Sequence, residues 1–105
     1  MDRNLQFLGI ARKAGMLVVG ADASAFAART GKAKAILTAG DASDGAKRRA
    51  ERDAGFCGAA YISVPYTMLE LGDIAGRGAP GTLAILDEGI ANGFIKGLAE
   101  CDSEK

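Results

Sequence analysis

Short apolar runs alternate along the chain with longer stretches in which apolar residues recur every three or four positions, the pattern of buried strands alternating with amphipathic helices. A first helix is predicted over Arg3 to Ala14, with Phe7, Ile10, Ala11 and Ala14 on one face at 100° per residue and Gln6, Arg12 and Lys13 on the other. Gly15 ends it, and Met16 to Val19 reads as a strand. Asp22 or Ser24 is then placed to cap a second helix running to Thr30, with Ala23, Phe26 and Ala27 as its inward stripe and Gly31 as its stop.

The alternation continues to the end of the chain. Lys34 to Thr38 gives a second strand with Ile36 and Leu37 buried, and Asp41 and Ser43 offer caps for a helix to about Ala54. That helix turns Ala46, Ala50 and Ala54 inward and Arg48, Arg49 and Arg52 outward. Ala60 to Val64 is a third strand ended by Pro65, a short helix starts at Thr67, and Gly76 to Gly81 is a loop. Thr82 to Leu86 is the fourth strand, and Asp87 caps a last helix with Ile90 or Ala91, Phe94, Ile95 and Leu98 turned to the core. Buried strands between helices require a sheet covered on both faces, so the expected fold is α/β, a three-layer α-β-α sandwich.

Length fits a single domain spanning 1–105, large enough to bury one core. The net charge of zero hides an asymmetry: residues 1–52 carry ten of the thirteen Lys and Arg against five acids, and residues 53–105 carry three against eight. One face for a polyanion and another without that role is one reading of this polarity; two solvated surfaces is the other. The chain has no histidine, which removes the commonest general base and metal ligand and every histidine-assisted nucleophile, so no enzyme, cofactor or metal site is expected. Cys57 and Cys101 form no ligand pattern and read as free thiols in a reducing compartment. No apolar run reaches the roughly 18 residues of a membrane span, and Met-Asp-Arg-Asn lacks the build of a signal peptide, so the expected location is the cytoplasm.

Two glycine-bearing segments bear on chemistry. Gly9 to Gly20 brings Arg12 and Lys13 to the end of a helix, then passes through a strand to a glycine followed by small residues, a layout that leaves the next helix's amides accessible to phosphate. Gly76-x-Gly78-x-x-Gly81 matches the dinucleotide fingerprint literally, but the order is wrong: the helix precedes it, the strand follows it, and Pro80 removes an amide donor. It reads as an exposed loop suited to partner contact.

The sequence resembles the ribosomal-protein and kink-turn-binding superfamily of the archaeal large-subunit protein seven-Ae, and within it a bacterial YlxQ-type member. The resemblance is carried by Leu8-Gly-Ile-Ala-Arg-Lys-Ala-Gly15, Gly20, Gly31-Lys-Ala-Lys34, Ala39-Gly-Asp-Ala-Ser43, Lys47-Arg-Arg49, Val64-Pro-Tyr66, Glu70-Leu-Gly72, Ala75-Gly76 and Asp87-Glu-Gly-Ile-Ala91, in that order and spacing. It implies four mixed strands between helices and a non-enzymatic protein that grips a sharply bent internal loop of RNA, ribosomal RNA included, in a ribonucleoprotein. The contacts it implies come from the start of the second helix, Gly20, Ala21 and Asp22 onward to Phe26, from Arg29, Lys32 and Lys34, and from Ala79, Pro80, Gly81 and Thr82. Arg12 and Lys13 beside the first turn, and Asp41, add to the candidate RNA-binding set, with a helix cap as the other reading of Asp41.

The family's helix opens with Gly-x-Asn-Glu and carries a lysine further on, where this chain has Gly20, Asp22, Ala23 and Phe26. An aspartate accepts hydrogen bonds but cannot donate them, and Phe26 reads as core beside Ala23 and Ala27. Structured RNA is the expected partner, with ribosome-associated proteins as further ones. A protein-interaction module of the same fold, meeting its partner through the loop at Gly76 to Gly81, is the alternative.

Overall fold

Strands β1 (Leu17–Val19), β2 (Ala35–Thr38), β3 (Ala60–Ser63) and β4 (Thr82–Ile85) form one mixed sheet in the order β1-β4-β2-β3. β2 and β3 pair in parallel, while β4 runs antiparallel to both its neighbours, with Leu37 and Val19 each opposite Leu83. The three parallel strands therefore end where β4 begins. The computed structural model describes residues 3–103 except 77 and 79, with side chains from 4 to 98 apart from those two.

Among the described residues five helices cover the sheet: α1 (Arg3–Lys13), α2 (Ala21–Arg29), α3 (Asp44–Cys57), α4 (Met68–Ala75) and α5 (Glu88–Ser103). Alternation along the strands sends Leu37, Leu83 and Ile85 to one face, where they meet Leu8, Leu71 and Phe94 from α1, α4 and α5. Ile36 and Ala84 point to the other face and meet Ala27, Ala28, Ala50 and Ala54 from α2 and α3. The result is the three-layer sandwich with a four-stranded mixed sheet that the pattern and the resemblance lead one to expect. Its second core is built almost wholly of alanine, so α2 and α3 lie close to the sheet and to each other.

Two inward faces differ from the expected ones. In α1 the buried residues are Asn4, Leu5, Leu8 and Ala11, whereas Ile10 is 54% exposed and Ala14 lies on the surface. The reason lies in α5: a side chain on Gly97 would collide with the Asn4 amide oxygen, and one on Gly93 would meet the Phe7 ring at 3.0 Å. These two glycines, one turn apart, admit α1 along its Asn4 side, which rotates the predicted stripe. In α2 the buried residues are Ser24, Ala25, Ala27 and Ala28, and Phe26 is 66% exposed. Ala23, expected inward, is exposed too: the helix turns Ser24, Ala25, Ala27 and Ala28 to the alanine-lined space beneath it, and that phase leaves both Ala23 and the Phe26 ring outside.

Caps also differ in part. Neither Asp22 nor Ser24 caps α2; Gly20 is its N-cap, at φ 108° and ψ 151°, a conformation open to glycine alone. Ser43 caps α3 by accepting from the Ala46 amide at 3.1 Å. Asp41 caps a different helix from the expected one, its Oδ1 accepting from the Met68 amide of α4 at 2.9 Å. The predicted ends at Gly15 and Gly31 stand, both glycines having φ 74°. No helix among the described residues is long and apolar enough to cross a membrane.

Candidate functional site

The sheet end where β1, β2 and β3 finish gathers four connections into one surface. The Gly20 amide donates to the Thr82 carbonyl at 2.9 Å, the Ala39 amide to the Gly81 carbonyl at 3.0 Å, and the Gly40 amide to the Tyr66 carbonyl at 2.9 Å. Lys47 reaches back from α3 to donate to the Gly40 carbonyl at 3.0 Å, and Asp41 holds the start of α4. Gly40 is a close approach as well as a turn: a Cβ there would lie 3.0 Å from the Val64 carbonyl oxygen. The β1, β2 and β3 exits and the β4 entrance are thus pinned by backbone bonds, which makes this end a rigid platform.

Helices α2, α3 and α4 all begin on that platform, because each follows a strand that ends there. Two of them are closed by side chains. Ser43 serves α3, and α4 carries a full capping box in which Thr67 accepts from the Glu70 amide while Glu70 accepts from the Thr67 amide. The start of α2 has no side-chain cap among the described residues, so its first amides at Ala21 to Ala23 are left to solvent or to a ligand. Asp22 is 96% exposed and bound to Arg49 of α3 at 2.9 Å, which sets a guanidinium beside those amides. That guanidinium is shared by Asp22 and Asp53, so what the helix start offers an acceptor-rich ligand is its bare amides.

Of the predicted contacts, Gly20, Ala21, Asp22, Asp41, Pro80, Gly81 and Thr82 are brought together here. Ala79 falls outside the described residues. Thr82 is buried at 4% exposure opposite Thr38, so it offers the platform its backbone rather than its hydroxyl. Asp41 has its Oδ1 committed to Met68, which makes it a cap whatever else it touches.

Arg29, Lys32 and Lys34 are not part of this cluster. The Lys34 amide donates to the Ile85 carbonyl at 2.8 Å, at the other end of β4, and α2 carries Arg29 the same way. All three are exposed. A four-residue strand separates the two groups by about 13 Å. Lys13 shares that far end, since the turn after it leads into Met16, whose carbonyl accepts from Leu86. Arg12 instead bends toward α4: it donates to the Ile74 carbonyl at 3.3 Å and lies against Gly76, where any side chain would strike its guanidinium.

Two platform residues, Lys47 and Arg49, were legible in sequence only as part of a basic stretch. Their partners, Gly40 and Asp22, lie seven and 27 residues away, and nothing local marks the pairing.

No protein-family model matches the sequence, and no curated protein does. Solved structures do resemble it. A protein of unknown function from Bacillus halodurans superposes with a TM-score of 0.86 at 19% identity, over 94% of this chain and 99% of that one. A 15.5 kD RNA-binding protein from Giardia lamblia superposes with a TM-score of 0.71 at 14% identity, over 94% of this chain and 84% of that one. At these identities the likeness is one of fold, and it extends over nearly the whole chain.

Proposed function

We propose that the protein is a non-enzymatic RNA-binding module of the seven-Ae and kink-turn-binding superfamily, a YlxQ-type member acting in the cytoplasm, that grips a bent or looped element of structured RNA, ribosomal RNA among the candidates. The observation that carries the reading is the uncapped start of α2, fixed by Gly20 against Thr82 and flanked by Arg49. Small residues at Ala21 and Ala23 let backbone amides approach phosphates or the edges of unstacked bases, which is how structured RNA is read. The description of the Giardia protein as RNA-binding supports the same partner.

The test is binding of a kink-turn RNA measured across a salt series. Affinity is expected to fall with salt, with a log-log slope of about −0.7 to −0.9 per phosphate contact. Asp22→Asn adds a donor where the native residue only accepts, and is expected to tighten binding about tenfold, one bidentate base contact being worth about 1–3 kcal/mol. Failure to bind any folded RNA at low salt refutes the reading.

A further inference from the structure

The outer surface of the α2 and α3 layer carries a second feature that the platform does not use. Both helices run back from the same sheet end, side by side, and bury alanines, so their long side chains are left outside. On α3, Arg48, Arg52 and Phe56 fall at i, i+4 and i+8, one row with a repeat of about 6 Å along the axis. Phe56 is 74% exposed, and Arg48 and Arg52 are exposed with no ion pair among the described residues. On α2, exposed Phe26 is followed one turn later by exposed Arg29.

The two helices carry Arg29, Lys47, Arg48, Arg49 and Arg52 against Asp22, Asp44, Glu51 and Asp53, and the pairing of these charges is uneven. Asp22 and Asp53 both turn to Arg49, at 2.9 and 4.0 Å, so these two carboxylates are occupied by a single guanidinium. Glu51 sits about 100° round α3 from Arg52 and three residues after Arg48, and Asp44 opens the row one turn before Arg48, at the N-terminus of α3 where an acid complements the helix dipole. The cations of the row and of α2 are all arginine, whose planar fork stacks on bases and pairs with phosphate in ways lysine does not, while Lys47 of α3 is tied to the Gly40 carbonyl. Each phenylalanine has an arginine one turn away along its own helix, Arg29 for Phe26 and Arg52 for Phe56. Exposed aromatic rings spaced among arginines are the means by which single strands are held: bases stack on the rings and phosphates meet the cations.

We propose that this face binds an unpaired stretch of RNA, bases stacked on Phe26 and Phe56 and backbone along Arg48 and Arg52. The bond between Asp22 and Arg49 makes the face continuous with the start of α2, so a strand leaving a bent element on the platform passes directly onto it. Only that continuity rests on the platform reading; the face itself is tested separately.

The experiment measures anisotropy of a labelled oligouridylate, and in parallel of a kink-turn RNA trimmed of unpaired ends. Wild-type protein is expected to bind the oligouridylate at low salt. Phe26→Ala and Phe56→Ala each weaken that binding about tenfold, Phe56→Tyr preserves it, and Arg52→Ala lowers the salt slope by about 0.7. The trimmed RNA is bound by Phe56→Ala, Phe56→Tyr and Arg52→Ala as by wild type. Because the substituted side chains are exposed, the melting temperature stays within error of wild type, and this is checked on every variant. No oligouridylate binding at low salt, or binding unaffected by Phe56→Ala and Arg52→Glu together, overturns the proposal. So does a dimer seen by light scattering that Phe56→Ala dissolves while RNA binding is untouched, which would assign the face to a protein contact. Oligouridylate binding without kink-turn binding refutes the platform reading and leaves this one standing.

Discussion

Ser24 sits in the first turns of α2 with 2% of its surface exposed, and its hydroxyl has no hydrogen-bond partner among the described residues. A buried hydroxyl that has given up water without a replacement costs about 1–3 kcal/mol, and serine is also the poorer helix former. Ser24→Ala removes one atom and both penalties, so it is expected to raise the melting temperature by about 4–8 °C per kcal/mol gained. Calorimetry of the two proteins checks this, and a lower melting temperature would show that Oγ has a hidden partner. The same helix shows where residue-level reading of the sequence stops. Its burial pattern follows the roll of the helix rather than hydrophobicity, so Ser24 goes in while Ala23 and Phe26, core by their chemistry, stay out. Nothing within α2 reports that roll, since it is set by Ala50, Ala54 and Ala84 from elsewhere in the chain.

Elements are where the sequence was most readable, because the signals are local. Gly15, Gly31, Gly58 and Gly76 all take positive φ at helix ends, and the strands they introduce or follow are short apolar runs bounded by turns. What remained hidden was which way each helix rolls, as the glycines of α5 show for α1, and which helix each cap serves, as Asp41 shows for α4. Caps also separate stability from function among the three helices that begin on the platform. Ser43→Ala removes the bond to the Ala46 amide and is expected to cost about 1 kcal/mol, and Thr67→Ala breaks one half of a capping box at similar cost. Asp22→Ala removes no cap and breaks only an exposed ion pair, worth at most about 1 kcal/mol. Chemical denaturation is expected to rank Ser43→Ala and Thr67→Ala as the destabilised pair, with Asp22→Ala close to wild type. If Asp22→Ala destabilises as much as they do, the start of α2 is closed by its own side chain and is not available to a ligand.

The predicted contacts divide between two ends of the sheet, and under the proposed function this separation decides how large an RNA is engaged. Gly20, Asp22 and Gly81 lie at one end; Arg29, Lys32 and Lys34 lie about 13 Å away at the other, along the length of α2. The family resemblance ran these residues together as one contact set, since they are close in sequence and the strand direction that separates them is a property of the sheet. A bent internal loop seated on the platform reaches the far lysines only through a helical arm that extends past it. Lys34→Ala is therefore expected to lower the salt slope by about 0.7 to 0.9 with an RNA whose arm is long, and to leave it unchanged with an RNA trimmed close to the bend. Asp22→Asn acts at the bend itself and changes affinity for both RNAs alike. An equal effect of Lys34→Ala on the long and trimmed RNAs would place the lysine at the bend, which the register of β2 against β4 does not allow without a different mode of docking.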